Sequence, residues 1–348
     1  MRMFNPIFEK KNSLKMILAI TAMGLPFMHA SGQQVDKSSP AGKGVYESAF
    51  NAKDGHVYVT SAGSRNAPGG ALYKINPADL SVVDSISLKE NPPYGIAINS
   101  KTQVAYTTNT RTNSVSAVDL KTGKVLATIN SGAEKSHTRE VLVDEDNNLV
   151  YVTDVGDPSS IWVIDGKTNT FSHLIPDLGK TATSMAFAKS KDKLYVTVMG
   201  TNSIAVINTK TRKIEKSFAS GGEAPINIAS DGKRLFVTNQ KSGTVTVLDT
   251  EGNLLKSIET GAGAIGLAYD GIKNRIYSAN RGTGTTTVID AKTYAVLADL
   301  QTGSAPNHVR IDPKSGVAYV VNKTKGGRPV EGQAPVVDTN GDTITKIN

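Results

Sequence analysis

Val57-Tyr58-Val59-Thr60 is one of seven closely similar phrases in the chain. The others are Ala105-Tyr106-Thr107-Thr108-Asn109, Val150-Tyr151-Val152-Thr153-Asp154, Leu194-Tyr195-Val196-Thr197, Leu235-Phe236-Val237-Thr238-Asn239, Ile276-Tyr277-Ser278-Ala279-Asn280 and Ala318-Tyr319-Val320-Val321-Asn322. Their aromatic residues are spaced by 48, 45, 44, 41, 41 and 42 residues. A strand-rich unit recurring at this interval reads as a propeller blade, because one such unit cannot bury its faces alone and must stack on its neighbours. The expected fold is therefore all-β, a seven-bladed β-propeller.

Outward from Tyr195, the repeat holds four β-rich runs, at 184–188, 193–199, 203–208 and 213–219, parted by turn residues. We label them strands A to D from the propeller axis outward. Their apolar and polar residues alternate only loosely, as expected of strands buried on both faces. Strand C closes on Asn76, Asp119, Asp165, Asn208, Asp249, Asp290 and Asn348. Short amide and carboxylate side chains followed by a turn accept nearby backbone N–H bonds, so these seven are read as turn-formers and not as ligands.

The seventh phrase is followed by only one more strand, since 342–348 matches 202–208 and there the sequence stops. The last blade thus lacks its outer strand, and the segment from Gln33 to Ser39 is expected to supply it (3+1 closure). The blade bodies run over 44–93, 94–138, 139–181, 182–224, 225–264, 265–305 and 306–348. Long B–C loops are expected in blades one and seven, at 61–70 and 323–341, the latter carrying the basic run Lys323-Thr324-Lys325-Gly326-Gly327-Arg328. A single closed ring is expected to act as a monomer.

Residues 1–32 read differently. Arg2, Lys10, Lys11 and Lys15 precede an apolar stretch from Met16 to Met28, and Ala30-Ser31-Gly32 offers small residues for cleavage. This is the pattern of a secretory signal peptide, leaving 33–348 as the propeller, with a periplasmic location expected and no membrane span after signal removal. Four basic residues and one acid leave the leader at +3, so the net charge of +8 becomes +5 for the remainder. Such a chain tolerates an anionic partner. The chain has no Cys, which excludes disulfides, thiolate metal sites and cysteine nucleophiles.

Three tempting motifs fail on context. Gly261-Ala262-Gly263-Ala264-Ile265-Gly266 has dinucleotide-loop spacing, but a strand follows it where a helix is needed. Asp338-Thr339-Asn340-Gly341-Asp342 opens like a calcium loop and lacks the distal acid. The acidic run at 144–148 reads as an A–B turn. No catalytic residue and no cofactor is assigned.

In a propeller the shared site is the axial channel and the face built by D–A and B–C loops. Aligning the repeats gives two rings where strands A begin. One is Tyr46, Tyr94, Arg139, Thr183, Ile226, Ile265 and Asn307; the other is Glu47, Gly95, Glu140, Ser184, Asn227, Gly266 and His308. Tyr94, Arg139, His308 and Asn307, with Arg111, Lys180 and Arg281 on loops of the same face, suit single-stranded DNA or another polyanion. Arg65, Lys135, Lys241, Lys323, Lys325 and Arg328 are expected on that face too. The alternative takes Glu47, Glu140, Asn227 and His308 as ligands for a hard divalent cation, serving lactonase or lyase-type chemistry. A third reading is an envelope scaffold for protein partners.

The V-Y-V-T-N phrase with its closing V-I-D resembles the YVTN-repeat β-propellers of bacterial envelopes. Gly42-Lys43-Gly44-Val45-Tyr46-Glu47, Pro93-Tyr94-Gly95 and Arg139-Glu140 carry the resemblance beyond the repeat itself. It implies a seven-bladed periplasmic propeller with no established enzymatic activity and an affinity for single-stranded DNA.

Overall fold

The computed structural model describes Met1 and residues 32–63, 68–133, 136–325 and 337–348. The leader at 2–31, Arg65, Lys135 and Arg328 lie outside the described residues. Gln33–Asn348 forms one compact unit of seven four-stranded antiparallel sheets. In six of them the strands follow chain order from the inside out, and the innermost strands lie side by side around the ring, the first beside the seventh.

The repeated phrase is strand B, and each of its letters has a separate task. In blade one Val57 and Val59 pack into a core shared with blade seven, while Tyr58 packs into the core shared with blade two. The same division holds for Val150 and Val152 against Tyr151, and for Leu235 and Val237 against Phe236. Successive strand residues face opposite ways, so V-Y-V places one aromatic and two aliphatics into different blade interfaces. The seven cores are all of this interblade kind. An aromatic buries roughly 150–250 Å², which makes it a leading contributor to each interface, joined between blades two and three by the fully buried Trp162.

The Thr of the phrase is a staple between blades. Thr108 accepts a hydrogen bond from Gly95 N at 2.8 Å and donates to the Arg139 carbonyl of blade three at 2.5 Å. Thr60 does the same with Glu47 N at 3.0 Å and the Tyr94 carbonyl at 2.5 Å. The Asn binds within its own blade: Asn280 donates to Thr285 and Thr287 of strand C, and Asn322 to Thr343 and Thr345. In blade three Asp154 replaces it and accepts the Trp162 indole N–H at 2.9 Å.

The expected closure is present. Val35–Pro40 pairs antiparallel with Thr343–Ile347 from Val35 opposite Ile347 to Pro40 opposite Thr343, completing the last blade. Asn76, Asp119, Asp165, Asn208, Asp249 and Asp290 accept backbone N–H bonds two to four residues ahead, as turn-formers should. The glycine-rich run at 261–266 leads into strand A of blade six, and Asp338 is held by Ser304, Lys325 N and Asn340 N in a turn. Two expectations need correcting. Strand B of blade one runs to Gly63 and strand C begins at Pro68, both inside the loop expected over 61–70. Lys323 belongs to strand B of blade seven (Ala318–Lys323) and not to a free loop.

Candidate functional site at the channel mouth

Strand A carries an irregularity where it begins. In blade one Val45 pairs with Ser61 and Ser48 with Val59, so Tyr46 and Glu47 share one step of the partner strand. Arg139–Glu140 and Thr183–Ser184 are accommodated in the same way, and Asn307 sits in the corresponding step of blade seven. A β-bulge of this kind twists the strand and re-aims its side chains. In six of the seven blades the first-ring residue therefore sits in a bulge, and in blades one to five a strand B threonine bonds to the second-ring residue beside it. Gly95 has to be glycine at its place, because a Cβ there would collide with the Arg139 carbonyl and crowd the Glu47 carboxylate at 3.3 Å.

The bulges bring cations and aromatics together. Tyr46 and Tyr94 meet edge to face with centroids 4.9 Å apart. The Lys323 ammonium lies 4.2 Å from the Tyr46 ring centroid and the Arg111 guanidinium 5.6 Å from that of Tyr94. Arg111 also donates to the Ala62 carbonyl at 3.1 Å. Arg281 donates to Asn307 Oδ1, and Asn307 Nδ2 to the Tyr46 carbonyl at 2.5 Å. Cations over aromatic faces are held by the ring quadrupole, which keeps them in place while leaving N–H groups available. Two buried guanidinium nitrogens, Arg139 Nη1 and Arg281 Nε, have no hydrogen-bond acceptor among the described residues.

The electrostatics follow from burial. Burial, helped by nearby Arg281, pulls the Lys323 ammonium down to about 8. Burial also lowers Arg281, with Arg139 acting in the same direction against Tyr46. Beneath this cluster, burial and the charge of Glu140 push Glu47 well above the usual carboxylate range, against the pull of Arg139 and Arg310. Burial raises Glu140 too, opposed by the same two arginines.

Five of the seven residues expected to bind a polyanion are thus gathered at one mouth: Tyr94, Arg139, Asn307, Arg111 and Arg281. The other two are not. Lys180 is exposed and ion-paired with Asp157 at 3.3 Å on the rim of blade three. His308 is buried in the channel wall, where Ser48 N donates to its Nδ1 at 3.3 Å, and burial lowers its pKa well below the ordinary value. It stays a neutral imidazole and offers no positive charge to a phosphate. Lys241, expected on the same face, is paired with Glu223 at 2.6 Å.

Sequence reasoning placed Lys323 on this face but on a loop, and left Tyr46 and Arg310 out of the binding set. Tyr46 stood in the first ring and was readable, whereas Arg310 was hidden by its position inside a strand. The metal reading loses its footing here. Among the described residues no group of three or more His, Asp or Glu is placed to hold a metal ion, and the positive charge acting on Glu47 and Glu140 is that of Arg139 and Arg310. The apolar pairs exposed on outer strands, such as Val82–Val83, Val125–Leu126, Leu254–Leu255 and Val296–Leu297, sit on four separate blades.

Known proteins bear on this architecture. The proteins named "Uncharacterized protein YncE" from Salmonella typhi and Escherichia coli (strain K12) are 32% and 31% identical to the chain over 181 and 205 residues. Those matches cover 50% and 56% of the chain, and 51% and 58% of the relatives. The aligned part of the chain thus spans little more than half the length of these relatives. Among solved structures, Kuenenia stuttgartiensis Hydrazine Synthase superposes with a TM-score of 0.68 over 86% of this chain and 96% of that one. At 15% identity this is a likeness of fold alone. The YNCE-like beta-propeller family model matches residues 12–267, across the bulges and staples of blades one to five, and with seven blades closed by an N-terminal strand the chain belongs to that family.

Proposed function

We propose that the chain is an exported binding protein that takes the phosphate backbone of single-stranded DNA, or a comparable polyanion, at the mouth formed by Tyr46, Tyr94, Arg111, Arg139, Arg281 and Lys323. The observation that carries the reading is the pair of buried guanidinium nitrogens without acceptors among the described residues, set in a cluster of four cations and two aromatic rings. Burying charged donors unpaired is costly, and an anionic ligand supplies the missing acceptors. Tyr46 and Tyr94 add aromatic surface on which a base can stack whatever its identity. Arg139 and Arg281 suit bidentate phosphate contacts, which a lysine cannot make.

The working place we propose is the periplasm, reached through the leader at 1–32, with the mature ring acting alone. Among the described residues no helix is long and apolar enough to cross a membrane. The role needs no catalysis, and the reading assigns none.

The test is fluorescence anisotropy with a labelled single-stranded oligonucleotide over a salt series. Four phosphate contacts predict a slope of log affinity against log salt of roughly −3 for a single strand. Replacing Arg139 and Arg281 together by Ala should flatten the slope by about half and weaken binding about a hundredfold. Lys180→Ala should change the affinity by less than about threefold, since its ammonium is on the rim and already paired. No binding at low salt, or an equal loss in all these variants, would sink the proposal.

A further inference from the structure

The other half of the channel is built differently. A cavity of about 720 Å³ lies there, with Glu140, Ser184, Asn227 and His308 at its inner end and the A–B turn residues Glu145, Ile272 and Pro313 at its rim. None of Tyr46, Tyr94, Arg139 or Asn307 lines it, so it is separate from the cationic mouth. Its volume falls in the range of roughly 300–1,000 Å³ usual for small-molecule sites.

The sequence explains both its width and its charge. Two residues beyond the second ring, the repeats carry Ala49, Ala97, Ala186, Ala229 and Ala268 in five of the seven blades. Blade three has Leu142 there, and blade seven has Arg310. Small side chains leave the channel wide at this level, and one guanidinium stands among them. Arg310 Nε donates to the Ser48 carbonyl at 3.1 Å. Its two terminal nitrogens have no hydrogen bond or ion pair among the described residues.

Two more donors share the wall. Ser48 N donates to His308 Nδ1 at 3.3 Å, which makes that nitrogen the acceptor and leaves the proton of the neutral ring on Nε2. Asn227 Oδ1 accepts from Ser184 Oγ at 3.2 Å, leaving its amide N–H₂ as the group to donate. Glu140 is the acid at the inner end of the cavity, with Glu47 behind it, while Glu145 and Asp270 line it nearer the A–B turns; Glu140 and Glu47 lie in the fields of Arg139 and Arg310. Burial raises both acids, so the pair holds less than its formal charge against two guanidiniums. A guanidinium and two neutral donors at the inner end of a chamber whose wall combines alanines with larger apolar side chains such as Phe50, Leu142, Met185 and Phe187 suit a single negative charge on a short apolar body. A polyanion fits the mouth and not this chamber, because the chamber has one cation.

We propose that this cavity is a second binding site, taking a small organic carboxylate with its head on Arg310, His308 Nε2–H and the Asn227 amide and its apolar body along the apolar side chains of the strand A wall. The site stands whether or not the mouth binds nucleic acid.

The experiment titrates the full propeller with hexanoate by calorimetry, and with hexanol and hexylamine as probes of equal carbon number and different head. Hexanoate should bind, while hexanol and hexylamine bind at least about tenfold more weakly, because a charged hydrogen bond is lost. Arg310→Met should weaken hexanoate about tenfold or more and bring it level with hexanol. Should Arg310→Met fail to fold, Ala229→Leu keeps the arginine and narrows the chamber, and it should weaken hexanoate by a comparable factor. The proposal is overturned if hexanoate does not bind, if hexanol binds as well, or if hexanoate affinity survives both substitutions. It is equally overturned if the affinity follows Arg281→Met instead of Arg310→Met, since the anion would then sit at the mouth.

Discussion

Lys323 gives the proposed mouth a pH signature. Its ammonium packs on Tyr46 at 4.2 Å, and burial is the main cause of its lowered pKa of about 8. Arg281 and Arg111 push the same way, and Asp342 and Glu47 oppose them. A bound phosphate beside Lys323 favours the protonated amine and carries its pKa back toward the ordinary 10.5. Linkage then fixes the sign. Below about pH 8 the amine is charged in both the free and the bound protein, and affinity is flat. Above it the free protein loses the proton that the bound form keeps, and each pH unit weakens binding by up to about tenfold. The expected affinity at pH 9 is about tenfold below that at pH 7.

The assay is anisotropy with labelled oligo-dA, whose bases do not titrate in this range, at constant ionic strength. Lys323→Met should remove the step and hold the affinity at a low level throughout. Lys323→Arg should remove the step and keep the affinity high. A flat wild-type profile, or an undiminished step in Lys323→Met, refutes the reasoning. Folding carries the opposite sign. Because the folded value lies below 10.5, protonation opposes folding, and this penalty is complete below about pH 8 and relieved as pH rises toward 10.5.

Tyr94→Leu removes the edge-to-face partner of Tyr46 and the ring beneath Arg111, and should weaken oligonucleotide binding by about fivefold to a hundredfold in the anisotropy assay. Thr108→Val keeps the shape of the staple but strips partners from Gly95 N and the Arg139 carbonyl. It should cost about 2–4 kcal/mol in urea unfolding, and a loss under about 0.5 kcal/mol would mean the staple holds nothing. Deleting residues 33–40 leaves strand C of blade seven as an open edge, so the melting temperature should fall and sedimentation should show self-association.

What could be read from the sequence, and what could not, divides along the strands. Strand B is legible because its environment repeats. Every blade needs an aromatic facing one neighbour, aliphatics facing the other and a hydroxyl or amide at the end, so V-Y-V-T-N is nearly fixed by packing. Closure was legible for the same reason, since counting strands against phrases leaves one missing. Strand A repeats in backbone and not in side chain. Its bulge recurs, which is why aligned positions such as Tyr46, Arg139 and Asn307 came out at one mouth. The bulge also sets two adjacent residues at different depths, and sequence alignment has no measure of depth. His308 follows Asn307 directly yet is buried as a neutral wall residue, while Asn307 binds Arg281 at the mouth. Arg310 lies two residues farther on, where five other blades carry alanine. A lone arginine in that register is a departure from the repeat that packing alone does not require, since five alanines close the same ring without it. Departures of this kind, weighed position by position against the other six blades, are where the chemistry of a repeat protein is to be sought.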